Sequence, residues 1–200
     1  MTRVAIIGAG SVGRALGSGL AAAGHDVVYG VRDPADERHA DLDSATTPPE
    51  AAAGRDAVIV AVPAGAVAAT VASLALAPGQ VLVDATNAVG APVPDGHDTM
   101  GDLTAAFAPA GVAVVKAFNT IGAEHLGGHE IGGRSVFLPI CGDEAGIEIV
   151  RPLATSLGFD VVSVGGREQF GLVEAHAALW IRLAFGCGWG RSFGFGVLGR

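Results

Sequence analysis

Near the amino terminus the run Gly8-Ala9-Gly10-Ser11-Val12-Gly13 places glycine at its first, third and sixth positions. That spacing suits one kind of chemistry. Gly8 permits a tight turn, Gly10 lets the backbone approach a ligand with no Cβ between them, and Gly13 lets a following helix pack hard on the preceding strand. The ligand such a turn receives is a diphosphate, because free N–H groups at a helix mouth and the helix dipole both favour negative charge. Ala9, Ser11 and Val12 belong to the same phosphate-facing turn. The context fits: Val4-Ala5-Ile6-Ile7 reads as a buried strand, and the Ala- and Leu-rich stretch from about Ser11 to Ala23 reads as a helix.

The end of the second predicted strand, about twenty residues on, distinguishes one dinucleotide from another. NAD sites usually place an acid there for the ribose 2′-hydroxyl. Here Tyr29-Gly30-Val31-Arg32 supplies no acid and then a guanidinium. Arg32 is expected to face a 2′-phosphate, with Arg38 as a second contact, so the expected cofactor is NADP(H) rather than NAD(H). The competing view of Arg32 is a solvated loop arginine weakened by its neighbour Asp33. Further along, Val62 and Pro63 in Ala61-Val62-Pro63, and Thr86 and Asn87 in Asp84-Ala85-Thr86-Asn87, fall at carboxyl ends of predicted strands, where ligands of such sheets bind. Thr86 and Asn87 either bond ribose or carboxamide or serve as turn residues.

These residues need a frame. Apolar runs at Val4–Ile7, Asp26–Tyr29, Ala57–Val62, Gln80–Asp84, Val112–Ala117, Ser135–Cys141 and Asp160–Val164 read as strands. Helices are expected from about Ser11 to Ala23, Ala66 to Leu76, Leu103 to Ala108, Glu144 to Leu157 and Leu172 to Phe185. The alternation predicts an α/β fold of Rossmann type, doubly wound and mainly parallel, with a short C-terminal helical extension. The stretch Asp33–Glu50 reads as loop and short helix. The expected division is a dinucleotide domain over residues 1–170 and a C-terminal helix and tail over 171–200, packing on the cleft or on a dimer partner.

Composition excludes several function classes. With 200 residues, 16% charged and a net charge of −8, the chain offers no basic surface for a nucleic acid. No apolar run approaches the roughly 18 residues of a membrane span. Cys141 and Cys187 lack metal-ligand spacing, so no metal site and no disulfide framework are expected, and cytoplasmic location is the default.

Candidates for acid–base work are few. Lys116 is the chain's only lysine and stands at the end of a predicted central strand, as a functional contact or as an ion-pair partner of Glu124 or Glu174. Glu174 and His176 lie two apart on one predicted helix and point to different faces. His125 and His129 flank Leu126-Gly127-Gly128, which breaks any helical pairing. Ser11 and Ser163 have no nucleophile constellation. Hydride transfer between stacked rings needs none of these when the acceptor ring manages its own proton.

With Gly8–Gly13 and Gly30-Val31-Arg32 go the segments Val115-Lys116-Ala117-Phe118-Asn119-Thr120-Ile121 and Pro139-Ile140-Cys141-Gly142-Asp143, and a late Leu172-Val173-Glu174-Ala175. On these residues the chain resembles the NADP oxidoreductases typified by the deazaflavin (coenzyme F420) dependent NADP reductase, whose fold also occurs in the cytoplasmic domain of STEAP metalloreductases. The resemblance implies that Asn119, Thr120 and Ile121 position the nicotinamide, with Ile121 between it and the electron partner. It also implies that Ala117 lies by the cofactor and that Val31 and Arg32 form the 2′-phosphate segment. Two departures stand out: Val31 where serine is common, and Gly171 where relatives commonly carry arginine. The implied activity is hydride transfer between NADP(H) and a deazaflavin or flavin coenzyme, or a small carbonyl or imine substrate. The alternative is an NADP(H)-binding sensor or assembly protein without catalysis. The Trp-containing tail after an apolar helix suggests a homodimer.

Overall fold

The computed structural model describes residues 1–127 and 130–199. Its central strands are the most continuous apolar runs: β1 (Arg3–Ile7), β4 (Ala57–Val60), β5 (Val81–Asp84) and β6 (Ala113–Lys116). They are buried almost throughout, as strands covered on both faces must be. Outside them lie β2 (Asp26–Gly30), the two-residue β3 (Ala45–Thr46), β7 (Phe137–Gly142) and β8 (Asp160–Ser163). The sheet order is β3-β2-β1-β4-β5-β6-β7-β8.

Helices α1 (Ser11–Ala22) and α5 (Glu144–Ser156) cover one face, where Val4, Ile6, Leu16, Leu20, Val150 and Leu153 share a core cluster. On the other lie α2 (Pro48–Ala52), α3 (Val67–Ser73), α4 (Met100–Phe107) and α6 (Phe170–Ile181). Their cluster includes Ala5, Ile7, Val58, Leu103, Phe170 and Val173. Successive residues of β1 thus feed opposite cores, and the fold is a doubly wound Rossmann-type α/β domain.

One strand departs from the parallel pattern. β7 runs antiparallel to β6, with Lys116 opposite Cys141. The described part of the segment between them holds a short 3-10 turn at Ala123–His125 and a single bridge between Ile131 and Arg134, with no crossover helix to return the chain to the far edge. β7 therefore starts at the end where β6 finishes, and β8 resumes the parallel pairing alongside it.

Helix α6 is apolar except at Glu174 and His176 and has no single apolar face. It buries Phe170, Val173, Ala177 and Trp180, while Leu172 and Leu179 stay about half exposed, at 57% and 50%. The tail beyond it returns over the start of β7: Phe137 N–H donates to the Phe195 carbonyl at 2.9 Å, and Trp180 Nε1–H to that of Phe193 at 3.0 Å. Among the described residues no helix is long and apolar enough to cross a membrane.

Candidate functional site

The strand order reverses between β1 and β4, so the chains leaving their carboxyl ends turn to opposite faces of the sheet, α1 to one and α3 to the other, the arrangement at whose crevice ligands of such sheets bind. The glycine turn forms one wall and Ala61-Val62-Pro63 the other, with Ala61 N–H donating to Ile7 carbonyl at 2.9 Å. Gly8 lies at φ +105°, and a Cβ there would meet Ala61 O at 2.6 Å. A Cβ on Gly13 would fall 1.9 Å from Gly8 O. Both glycines are required by the fold itself. Gly10 is not: its backbone (φ −75°, ψ −173°) suits any residue, and a Cβ there would meet nothing within 4 Å. It is also the N-cap of α1, with no side-chain capping bond and no acid in the first turn. The first N–H groups of α1 are left for an anion.

Arg14 fixes the turn from behind. Its Nε donates to Ala9 carbonyl at 3.0 Å, and its Nη groups reach Asp41 at 2.5 Å and the Arg38 carbonyl. Because a trans peptide points C=O and N–H in opposite directions, this contact holds the Gly10 N–H away from Arg14.

At the end of β2, Val31 is buried at 4% and contributes packing, whereas Arg32 is exposed. Among the described residues Arg32 has no hydrogen-bond or ion-pair partner. Asp33 is turned to its own loop, accepting from Ala35 N–H at 3.1 Å, so it leaves the Arg32 guanidinium uncompensated. Arg38 is different: Asp36 accepts from both its Nε and its Nη2, the latter at 2.6 Å. Those bonds hold the Asp36 carboxyl well below the usual carboxylate range. The charge of Arg38 is already matched, and Arg32 is the guanidinium open to a new anion.

Beyond β5 and β6 the loops are tied together. Asn87 Nδ2 donates to Asn119 carbonyl at 2.7 Å, and Asn119 Nδ2 donates to Asn87 Oδ1 at 3.0 Å. Thr86 gives both its N–H and its hydroxyl proton to Asp84 Oδ1, at 2.8 and 2.7 Å, which is the turn role rather than an open ligand contact. Phe118, in the left-handed region at φ +65°, reverses the chain between Ala117 and Asn119. Such a backbone costs about 1–3 kcal/mol, offset here by the ring's burial. The turn leaves Asn119 Oδ1 and Thr120 Oγ1 buried with no hydrogen-bond partner. Ala117, expected beside the cofactor, is fully enclosed in the core and presents no surface. Ile121 packs in the same cluster with 8% of its surface open.

The titratable candidates are engaged elsewhere. Lys116 is fully buried, with Asp84 and Glu174 each at 2.8 Å; Glu124 instead binds Arg191 of the tail at 2.7 Å. Sequence reading missed Asp84, although the β5–β6 register sets it directly beside Lys116. His176 is caged by Phe137 and Phe195, its Nε2 is buried and unpaired, and burial pushes its pKa below the ordinary value. His129 lies outside the described residues. Burial pushes the Cys141 thiol up to about 12, which keeps it unreactive. Among the described residues no cluster of ligands could hold a metal ion. Trp180 is core, stacked on Phe193 at 5.2 Å between ring centroids, whereas Trp189 is 64% exposed.

Comparisons with known proteins agree with this geometry. Residues 3–88 match the family model described as NADP oxidoreductase, coenzyme F420-dependent. Metalloreductase STEAP3 of Rattus norvegicus is 31% identical over 179 residues, covering 86% of this chain and 36% of the relative, so the chain spans little more than a third of that protein. Among solved structures, a candidate F420-dependent NADP reductase from Arthrobacter sp. FB24 gives a TM-score of 0.75 at 25% identity, with all of both chains covered. A hypothetical protein from Sinorhizobium meliloti gives 0.72 at 32% identity, over 84% of this chain and 87% of its own. With the glycine turn and the bare helix mouth among them, residues 3–88 of the chain are similar to the coenzyme F420-dependent NADP oxidoreductases.

Proposed function

We propose that this protein binds NADP(H) across the crevice between β1 and β4 and passes hydride between it and a deazaflavin or flavin coenzyme. The observation that carries the reading is Gly10, a glycine with no steric or conformational need to be one, at the uncapped mouth of α1. A diphosphate drawn against Gly8–Gly13, including Ala9, Ser11 and Val12, accounts for it. Arg32 then meets the 2′-phosphate, and Val62 and Pro63 form the wall opposite the turn. Asn119 Oδ1 and Thr120 Oγ1, buried and unpaired, are acceptors of the kind a carboxamide NH2 satisfies.

The nicotinamide supplies the hydride chemistry; the chain supplies placement and exclusion of water. Reducing a small carbonyl or imine calls for a proton donor beside it. Lys116 has its ammonium committed to buried acceptors, and His176 is enclosed by aromatic rings. A partner ring that manages its own proton fits such a site better. One residue favours the competing reading of a binding protein without turnover: Gly171, where the resembled family commonly carries arginine. Crowding does not exclude a side chain there, since a Cβ would sit 3.7 Å from Thr99 Cγ2.

Following NADPH absorbance with the deazaflavin, with flavins and with simple carbonyls separates these readings. Turnover with the first two supports hydride transfer to a coenzyme; tight binding with no turnover supports the sensor. In parallel, Arg32→Ala is expected to weaken NADPH about tenfold or more and leave NADH unchanged, read by calorimetry. Equal loss for both nucleotides would remove the 2′-phosphate role.

Residues 171–200 form the extension through which two copies meet, supported by the exposed Leu172, Leu179, Phe185 and Trp189. Sedimentation should show a dimer that Leu179→Glu converts to monomer; a monomeric wild type would reject it.

A further inference from the structure

The strand-end lysine has more to do than neutralise a neighbour. Lys116 Nζ donates to Asp84 Oδ2 at 2.8 Å and to the Thr86 carbonyl at 2.6 Å, and forms an ion pair with Glu174 Oε1 at 2.8 Å. Lys116 and Asp84 have no exposed side-chain surface, and Glu174 has 15%. The remaining capacity of both carboxylates is also used. Asp84 Oδ1 takes the N–H and hydroxyl of Thr86, while Glu174 takes the Met100 and Gly101 N–H groups that open α4, at 3.2 and 3.0 Å. One ammonium thus joins β5, β6, α4 and α6.

The joint lies next to the unpaired acceptors. Thr86, held through its carbonyl, precedes Asn87, whose side chain is locked reciprocally to Asn119. Asn119 is three residues beyond Lys116 on the same strand end, across the strained Phe118. The chain from Lys116 to Thr86, Asn87 and Asn119 therefore closes into a ring that fixes where Asn119 Oδ1 and Thr120 Oγ1 sit.

We propose that Lys116 is a positioning residue: by gathering Asp84, the Thr86 carbonyl and Glu174 onto one point, it holds the Asn87–Asn119 pair so that two buried acceptors receive the nicotinamide carboxamide. This rests on the nucleotide reading above. An apolar core could replace the buried charges with little change in stability, because desolvation cancels much of their attraction. What such a replacement cannot supply is the ammonium that anchors the Thr86 carbonyl. Lys116 touches no reacting atom in this account; it acts through Asn87 and Asn119.

The test separates the nicotinamide end from the adenosine end. Calorimetry on the full chain gives the affinity of NADPH and of 2′-phospho-ADP-ribose, which lacks the nicotinamide, and their ratio measures what the ring contributes. For Lys116→Met/Asp84→Asn/Glu174→Gln, which keeps the volume and removes the charges, the fragment should bind as in wild type while the ratio falls at least tenfold. Glu174→Gln alone, at the least buried corner, should lower the ratio about threefold and serves if the triple variant does not fold. A ratio unchanged in whichever variant folds overturns the positioning role and leaves the nucleotide reading standing. A wild type that binds the fragment and NADPH equally also overturns it. A wild type that binds neither overturns the nucleotide reading, and this inference with it.

Discussion

Gly13→Ala is expected to destabilise the protein by about 3 kcal/mol, seen as a lower urea midpoint at unchanged slope. The added Cβ would stand 1.9 Å from Gly8 O, 3.0 Å from Gly8 C and 3.2 Å from Ile6 Cγ2. Two of those atoms are backbone, so no rotamer change relieves the clash; α1 must lift from β1 or the turn must open. Either movement also disrupts the diphosphate mouth, so nucleotide binding should be lost with stability. Gly24→Ala provides the contrast at the other end of α1. Its Cβ meets nothing within 4 Å, and only the positive φ of 87° counts against it, at about 1 kcal/mol. Equal midpoints for the two variants would show that helix and strand are not packed as described.

Lys116→Met should have an effect of similar or greater size for a different reason. Removing the ammonium leaves Asp84 fully buried and Glu174 nearly so, both facing the hole, and breaking a buried pair in this way costs about 3–5 kcal/mol. Neutralising both carboxylates in the same chain should recover most of that loss, because the penalty lies in the uncompensated charge and not in the missing contact. Denaturant curves of the single and triple variants check it. A single variant as stable as wild type would mean that water reaches the cluster, contrary to the enclosed side chains.

The two predictions draw on parts of the molecule that differed in legibility. The glycine turn was readable because Gly8 and Gly13 answer local demands of the fold and Gly10 completes their spacing, and the central strands were readable because burial on both faces forces unbroken β-branched runs such as Val58-Ile59-Val60. Contacts that depend on register or on loop shape were harder to see. Asp84 meets Lys116 only because β5 and β6 pair in one register, and Arg38 is taken by Asp36 only because a short 3-10 turn brings them together. The antiparallel course of β7 goes with the absence of a crossover helix among the described residues before it, which its apolar composition does not reveal. Some signals were present and passed over. Thr99 and Asp102 exchange capping bonds and start α4 at Met100, three residues before the expected Leu103, and Pro48 opens α2 with Thr47 and Glu50 as its capping box. β4 ends at Val60, which leaves Ala61-Val62-Pro63 as the crevice wall and not as strand.

A calorimetric titration of NADPH into wild type and Gly10→Ala, with thermal unfolding of both, goes most directly to the claim that a bare helix mouth receives a diphosphate. The free variant should unfold at the wild-type temperature, since its Cβ enters open space. Its affinity should drop by about a hundredfold, because the methyl group stands where the phosphate must come. Equal affinity in both proteins, or no heat from wild type, would contradict the account.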